Sequence, residues 1–331
     1  MSGCSAERYE WLYDRPAAGG QDLGMGQVGA QRVKTVRAGD MLYIASFPIW
    51  NTAQQSRQAR RREKNREAMR RVNQKNRRLY VEQLVHLNFQ KGDYFFTATY
   101  TERPQGNVRL DEAYYRDEPR DEAQAQDNVR RFIRALRALV KKKGGDVKAL
   151  KYLYVTEETN SRHPDPAYEQ ARYHHHMFIS REAGNGVELT RDEIEQTWAQ
   201  MPFASGRTRC EYLQPDRVTG LSGAARYFMK SEKGEEGRRD KNGRTTRPHR
   251  YAGSKNLKKP QPLTADRKIS RRRVQRLAED VRKNAKEIFE KLYPAYVLYE
   301  EPTVRTSDYV AGAYIYARMV RREEREGRRD E

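Results

Sequence analysis

Cysteine is nearly absent from this chain. Its 331 residues include two, Cys4 and Cys210. Two residues so far apart make neither a disulfide framework nor a CxxC metal or redox site. Their scarcity fits a reducing cytoplasm, the compartment expected here. Long apolar runs are absent too. No stretch approaches the roughly 18 residues needed to cross a bilayer, and the N-terminus lacks the basic-then-apolar order of a secretory signal. No membrane association is expected. Apolar residues make up 36% of the chain, below the usual share of about 45–50%. A core can form, but much of the chain must be solvated.

Charge is abundant, and most of it is positive. Charged residues account for 34%, and 66 Lys and Arg against 46 Asp and Glu give a formal net charge of +20. Such an excess points to a polyanionic partner, with nucleic acid first, because basic side chains displace counterions from a phosphate backbone. The alternative is a basic tail on an unrelated globular domain. From Arg57 to Arg78 only Glu63 and Glu67 interrupt the positive charge. A helix here, within residues 51–90, would carry Arg60, Arg61 and Arg62 along a phosphate backbone or simply present a solvated face. Its apolar stripe is thin: Met69, Val72, Leu79, Leu84 and Leu87.

Residues 1–50 read as an N-terminal segment, partly disordered over 1–30, with a strand at MLYIASFPIW ending at Pro48. Strand and helix patterns alternate over 91–260. YFFTATY (94–100), LKYLYVTEE (150–158), YHHHMFIS (173–180) and RCEYLQ (209–214) read as strands. QDNVRRFIRALRALVKKK reads as a helix capped at Asp127 or Asn128 and stopped by Gly144-Gly145. TRDEIEQTWAQ opens with a capping pattern at Thr190, and GLSGAARYFMKSE is a further helix. The order implies an α+β domain with a central antiparallel sheet and flanking helices. Residues 261–331 read as one C-terminal helix, capped by Ser270 and ended by Pro294, followed by strands.

Histidine is scarce, yet three of the six stand together in ARYHHHMFIS. A strand has a side-chain period of two, so His174 and His176 share a face and His175 points the other way. Two imidazoles on one face can hold a divalent ion. A hairpin with the preceding strand would bring Glu157 or Glu158 to them, leaving positions open for a phosphate oxygen. On GAARYFMKSE, Tyr227 and Lys230 share a helix face. A tyrosine hydroxyl, with a free pKa of about 10, can attack a phosphodiester when a metal offsets the developing charge; a lysine one turn away would steady the phosphate. Thr97 and Thr99 share one face of the first strand. Tyr100, Tyr173 and Phe228 are candidates for base stacking or for the core.

FFTATY, YVTE with RYHHHMFI, and RYFMK together resemble the three motifs of the HUH endonucleases, the rolling-circle replication initiators. The layout is most similar to replication-associated proteins of the filamentous-phage gene II type, over roughly residues 80–260. The resemblance implies a ferredoxin-like or RNA-recognition-motif-like HUH fold with basic helical extensions. It implies Tyr227 as nucleophile, Lys230 as its supporting lysine, and His174, His176 and Glu157 as ligands of Mn2+ or Mg2+. It implies nicking and joining of single-stranded DNA, or an origin hairpin, through a 5′-phosphotyrosine. Thr97 and Thr99 would contact the DNA or simply fill the sheet, and Arg172, Arg226, Lys255, Lys258 and Lys259 would contact the DNA. A GxxxxGK[ST] loop is missing, so a helicase, like the polymerase, would come from the host or the element. The chain departs from the pattern twice: His175 replaces an apolar residue, and there is one motif tyrosine. A relaxase- or transposase-like nickase, a water-using metal hydrolase and a non-catalytic nucleic-acid-binding regulator remain alternative readings.

Overall fold

The computed structural model describes residues 15–16, 23–50, 66–100, 119–160, 171–204, 208–229, 251–307 and 310–322. In chain order its elements are β1 (Arg15–Pro16), β2 (Val28–Ala38), β3 (Met41–Trp50), α1 (Arg66–Asn88), β4 (Tyr94–Thr99), α2 (Glu122–Lys142), β5 (Tyr152–Asn160), β6 (Ala171–Ile179), α3 (Arg191–Ala199), β7 (Thr208–Tyr212), α4 (Ser222–Phe228), β8 (Ala252–Gly253), β9 (Pro262–Asp266), α5 (Arg271–Glu279), α6 (Val281–Leu292), β10 (Tyr296–Leu298), β11 (Thr303–Ser307) and β12 (Val310–Arg321). The fold is α+β, and both its sheets are antiparallel. The chain forms two compact units. One comprises Met1–His86, Arg217–Gly220 and Lys259–Glu331; the other comprises Leu87–Asp216 and Leu221–Lys258.

The first unit corrects the expected division. Segments 1–50 and 261–331 are not separate appendages; they interleave in one seven-stranded sheet of order β1-β11-β12-β3-β2-β9, with β10 on β12. Strand β2 begins at Val28, inside a stretch expected to be disordered. Strand β3 runs through Pro48 to Trp50. Pro48 pairs with Gln31 on one side, but the β12 ladder reaches only Ser46, so its missing N–H forfeits no bond to β12. Gly312 lies against it with φ +96; a Cβ there would come within 2.8 Å of the Pro48 Cβ.

Helices α5 and α6 cover one face of this sheet, burying Val274, Leu277, Ile288 and Phe289 with Leu42, Ile44, Ile315 and Met319. The single C-terminal helix expected from sequence is broken at Asp280, whose extended backbone ends α5 while its carboxylate caps Lys283 N of α6 at 3.0 Å. Helix α1 is tied to the sheet by Glu82, which accepts from Tyr43 Oη at 3.2 Å and lies 3.6 Å from Arg318 Nη2. Of the stripe expected on α1, Leu84 is buried while Val72 is exposed; Val81 and Val85 complete the buried face. Residues 51–65, including Arg60, Arg61 and Arg62, lie outside the described residues, as does most of 1–30.

The second unit has the order β4-α2-β5-β6-α3-β7, and its sheet runs β7-β4-β6-β5-β8. Helices α2 and α3 pack on one face, where Phe96, Tyr100, Phe132, Leu136, Tyr173 and Trp198 form the core. Helix α2 starts nearly two turns earlier than expected. Its cap is Asp121, accepting from Gln124 N at 2.8 Å, because Asp127 is committed inside the helix to Arg131. Thr190 and Glu193 form the expected capping box on α3. Glu195 accepts from Cys210 N at 2.8 Å, so α3 helps to blunt the β7 edge.

Gly312→Ala is expected to lower stability by more than about 1 kcal/mol, since strain and collision coincide there. Gly26→Ala, where a Cβ meets nothing, should change little. Urea midpoints of the two variants check this.

Candidate active site

Strand β6 lies between β4 and β5, and its register decides what meets. Glu157 of β5, His174 of β6 and Thr99 of β4 are cross-strand partners in one row. Val155, His176 and Thr97 form the next. Partners in register share a face, so His174, His176, Glu157, Thr97 and Thr99 all lie on the side away from α2. Glu157, rather than Glu158, is therefore the acid beside the pair.

Glu157 Oε2 lies 3.1 Å from His174 Nε2 and 3.7 Å from His176 Nε2. One ligand atom from each of the three residues falls within 4.8 Å of the others. Ligands about 2.1 Å from an octahedral ion sit about 3 Å apart, so the residues fit a divalent metal without rearrangement of the strands. The 3.1 Å contact equally suits a hydrogen bond from a protonated Nε2. Thr97 Oγ1 lies 3.0 Å from His176 Nδ1. With Nδ1–H donating to Thr97, the Nε2 lone pair faces Glu157, as ligation requires. Burial lowers the His176 pKa to about 4, reinforced by His174 and opposed by Glu157. It is therefore neutral near pH 7 and free to ligate.

Tyr227 stands on α4 with about half its surface exposed. Its ring is 5.1 Å from that of His176, edge-on at 68°. Phe95 of β4 contacts both, stacked on His176 at 5.6 Å and edge-on to Tyr227 at 6.0 Å. The next residue, Phe228, is fully buried and packs on Phe178 at 5.2 Å. Phe178 also meets Phe89 at 5.4 Å. This apolar anchor holds α4 over the sheet and leaves the tyrosine at its rim.

His175 points into the opposite face, as the strand period requires. It is fully buried, with Nε2 2.6 Å from Tyr100 Oη and Nδ1 2.9 Å from Thr156 Oγ1. The polar ring therefore has its partners. Burial first, then His174 and His176, lower its pKa to about 3.

The remaining candidates fare differently. Tyr100, Tyr173 and Phe228 are core residues with no face free for a base. Helix α4 ends at Phe228 with Met229 as its cap. Lys230, expected on the same helix face as Tyr227, lies outside the described residues. Arg226 is exposed beside Tyr227 in the chain; the Arg172 side chain lies outside the described residues. Lys255 and Lys258 are exposed in the turn after β8. That turn begins where Ser254 N donates to Tyr152 O at 2.9 Å, five residues, or about 16 Å, along β5 from Glu157. These two lysines are not part of the metal row. Lys259 is exposed and belongs to the first unit. The Cys210 thiol, pushed up to about 12 by burial, is inert.

Two residues of the site face escaped the sequence. Phe95 shares its face with Thr97 by simple alternation, a signal that was present. Arg209 of β7 is the cross-strand partner of Thr97, on the same face, and pairs with Glu211 at 2.7 Å. Only the three-dimensional pairing reveals it. No family model, curated protein or solved structure matches the chain. No helix among the described residues is long and apolar enough to cross a membrane.

Thr97→Val should weaken Mn2+ binding about tenfold, as loss of a ligand's outer partner does, and Thr97→Ser should restore it; calorimetric titration measures both. A second prediction concerns acid. The unfolded His175 titrates near 6.5, the folded one near 3, so between these values the unfolded state binds more protons. Stability from this residue is complete above about pH 6.5 and falls as pH drops toward 3. Urea midpoints in the presence of EDTA should be lower at pH 5 than at pH 7, and the difference should shrink in His175→Leu.

Proposed function

We propose that this chain is a replication initiator of the HUH endonuclease type. In this reading it nicks and rejoins single-stranded DNA at a rolling-circle origin through a covalent bond to Tyr227. The observation that carries the reading is the Tyr227 ring 5.1 Å from His176, on the face that gathers His174, His176 and Glu157. The order β4-α2-β5-β6-α3-β7 with sheet order β7-β4-β6-β5 supports the ferredoxin-like arrangement that the resemblance implies. The net charge of +20 supports a polyanionic substrate.

In the proposed reaction, His174, His176 and Glu157 would hold a divalent ion, with Mn2+ better suited to the imidazoles than Mg2+. When bound, the ion polarises the scissile phosphate and offsets its developing charge. Thr97 fixes the His176 ring. Phe95 and Phe228 fix the position of Tyr227. The tyrosine oxygen attacks phosphorus, the bond from phosphorus to the 3′ oxygen breaks, and that oxygen leaves with a proton as a free 3′ hydroxyl. The tyrosine proton passes to solvent. One phosphodiester replaces another, so the free 3′ hydroxyl can attack in turn and rejoin the strand without an energy source. A relaxase or transposase would use the same steps in another DNA context.

The test uses single-stranded oligonucleotides tiled across both strands of the DNA surrounding the coding sequence, labelled at the 3′ end, with Mn2+. The reading expects a label-bearing protein band that is lost with EDTA, in Tyr227→Phe and in His176→Ala. Cleavage that survives in Tyr227→Phe with no protein adduct would instead identify water as the nucleophile.

A further inference from the structure

Directly beneath the metal row, the other face of the same sheet carries a buried polar chain. His175 lies between the two ligand histidines in sequence. Thr156, its cross-strand partner, immediately precedes Glu157. Tyr100 immediately follows Thr99 at the end of β4. One imidazole therefore bonds to the residue after Thr99 and to the residue before Glu157, while sitting next to both histidines of the row on β6. Gln126 extends the chain to α2: its Nε2 donates to Thr156 Oγ1 at 2.8 Å, and its Oε1 accepts from Tyr154 Oη at 3.3 Å.

One assignment gives every link of this chain one donor and one acceptor. Tyr100 Oη–H donates to Ala125 O at 3.4 Å. His175 Nε2–H donates to Tyr100 Oη, and Thr156 Oγ1–H donates to His175 Nδ1. Gln126 and Tyr154 donate as above. Ring contacts close the surroundings: Tyr100 meets His175 at 5.5 Å and Trp198 meets it at 5.8 Å. Each link is directional, and buried groups without partners are costly. A slip of β5 against β6 by one residue would break the Thr156–His175 link and turn Glu157 to the wrong face. An apolar residue at 175 would fill the space but would not enforce that register.

We propose that His175, with Thr156 and Tyr100, is a positioning group for the metal row. By tying β4, β5 and β6 together from behind, it holds Glu157 at ligand distance from His174 and His176. This rests on the reading of those three residues as a metal site. It predicts a change in metal affinity within fully folded protein, which core filling alone would not produce.

The test titrates Mn2+ into the full-length chain by calorimetry, with folding of each variant verified by tryptophan fluorescence. Thr156→Val keeps the branched shape and removes the hydroxyl; its Kd for Mn2+ should rise about tenfold. Thr156→Ser keeps the hydroxyl and should bind as the wild type does. Tyr100→Phe removes the second tie and should also raise the Kd. Wild-type affinity in Thr156→Val and Tyr100→Phe, with stability alone reduced, overturns the proposal and leaves the metal reading standing. If the wild type itself takes up no Mn2+, both fall together.

Discussion

The register between β5 and β6 is the constraint on which the site depends. Pairing Glu157 with His174 and Thr156 with His175 puts a carboxylate beside two imidazoles on one face and a hydroxyl beside the third imidazole on the other. Because side chains alternate strictly, the two outcomes cannot be separated: the register that assembles the ligand row also assembles the network behind it. Helices α2 and α3 bury the network face, and α4 lies on the face of Glu157, His174 and His176. Sheet, helices and site are in this sense one arrangement.

Helix α4 supplies the other half of the geometry. It is only seven residues long, too short to be stable alone, so packing must hold it. Phe228 against Phe178, with Phe89 and Phe95 around them, provides that packing. The adjacent residue, Tyr227, then has its ring against His176 while half of it stays open to solvent. These aromatic contacts fix the position of the Tyr227 ring beside His176.

Much of the second unit was legible because its signals are local. Strand alternation separated His174 and His176 from His175, and the Thr190 capping pair marked α3. Where local signals competed, the reading failed. Asp127 resembles a cap, but Asp121 lies ahead of it and Asp127 finds Arg131. Asp280 resembles a residue of a continuous helix, but it ends one helix and caps the next. The first unit was mostly illegible, because its sheet joins residues 28–50 to residues 262–321. No periodicity in either segment names its distant partner. The same reason hid Arg209, which reaches the site face only through the pairing of β7 with β4. Lys230, Arg60, Arg61 and Arg62 lie outside the described residues.

The central claim is that three side chains on two adjacent strands make one metal site. Crystals of the full-length chain grown with Mn2+ test it directly by anomalous scattering at the manganese edge. The account predicts a single strong peak about 2.1–2.3 Å from His174 Nε2, His176 Nε2 and Glu157 Oε2. Density showing a direct hydrogen bond between His174 and Glu157, with manganese bound elsewhere or not at all, would contradict it.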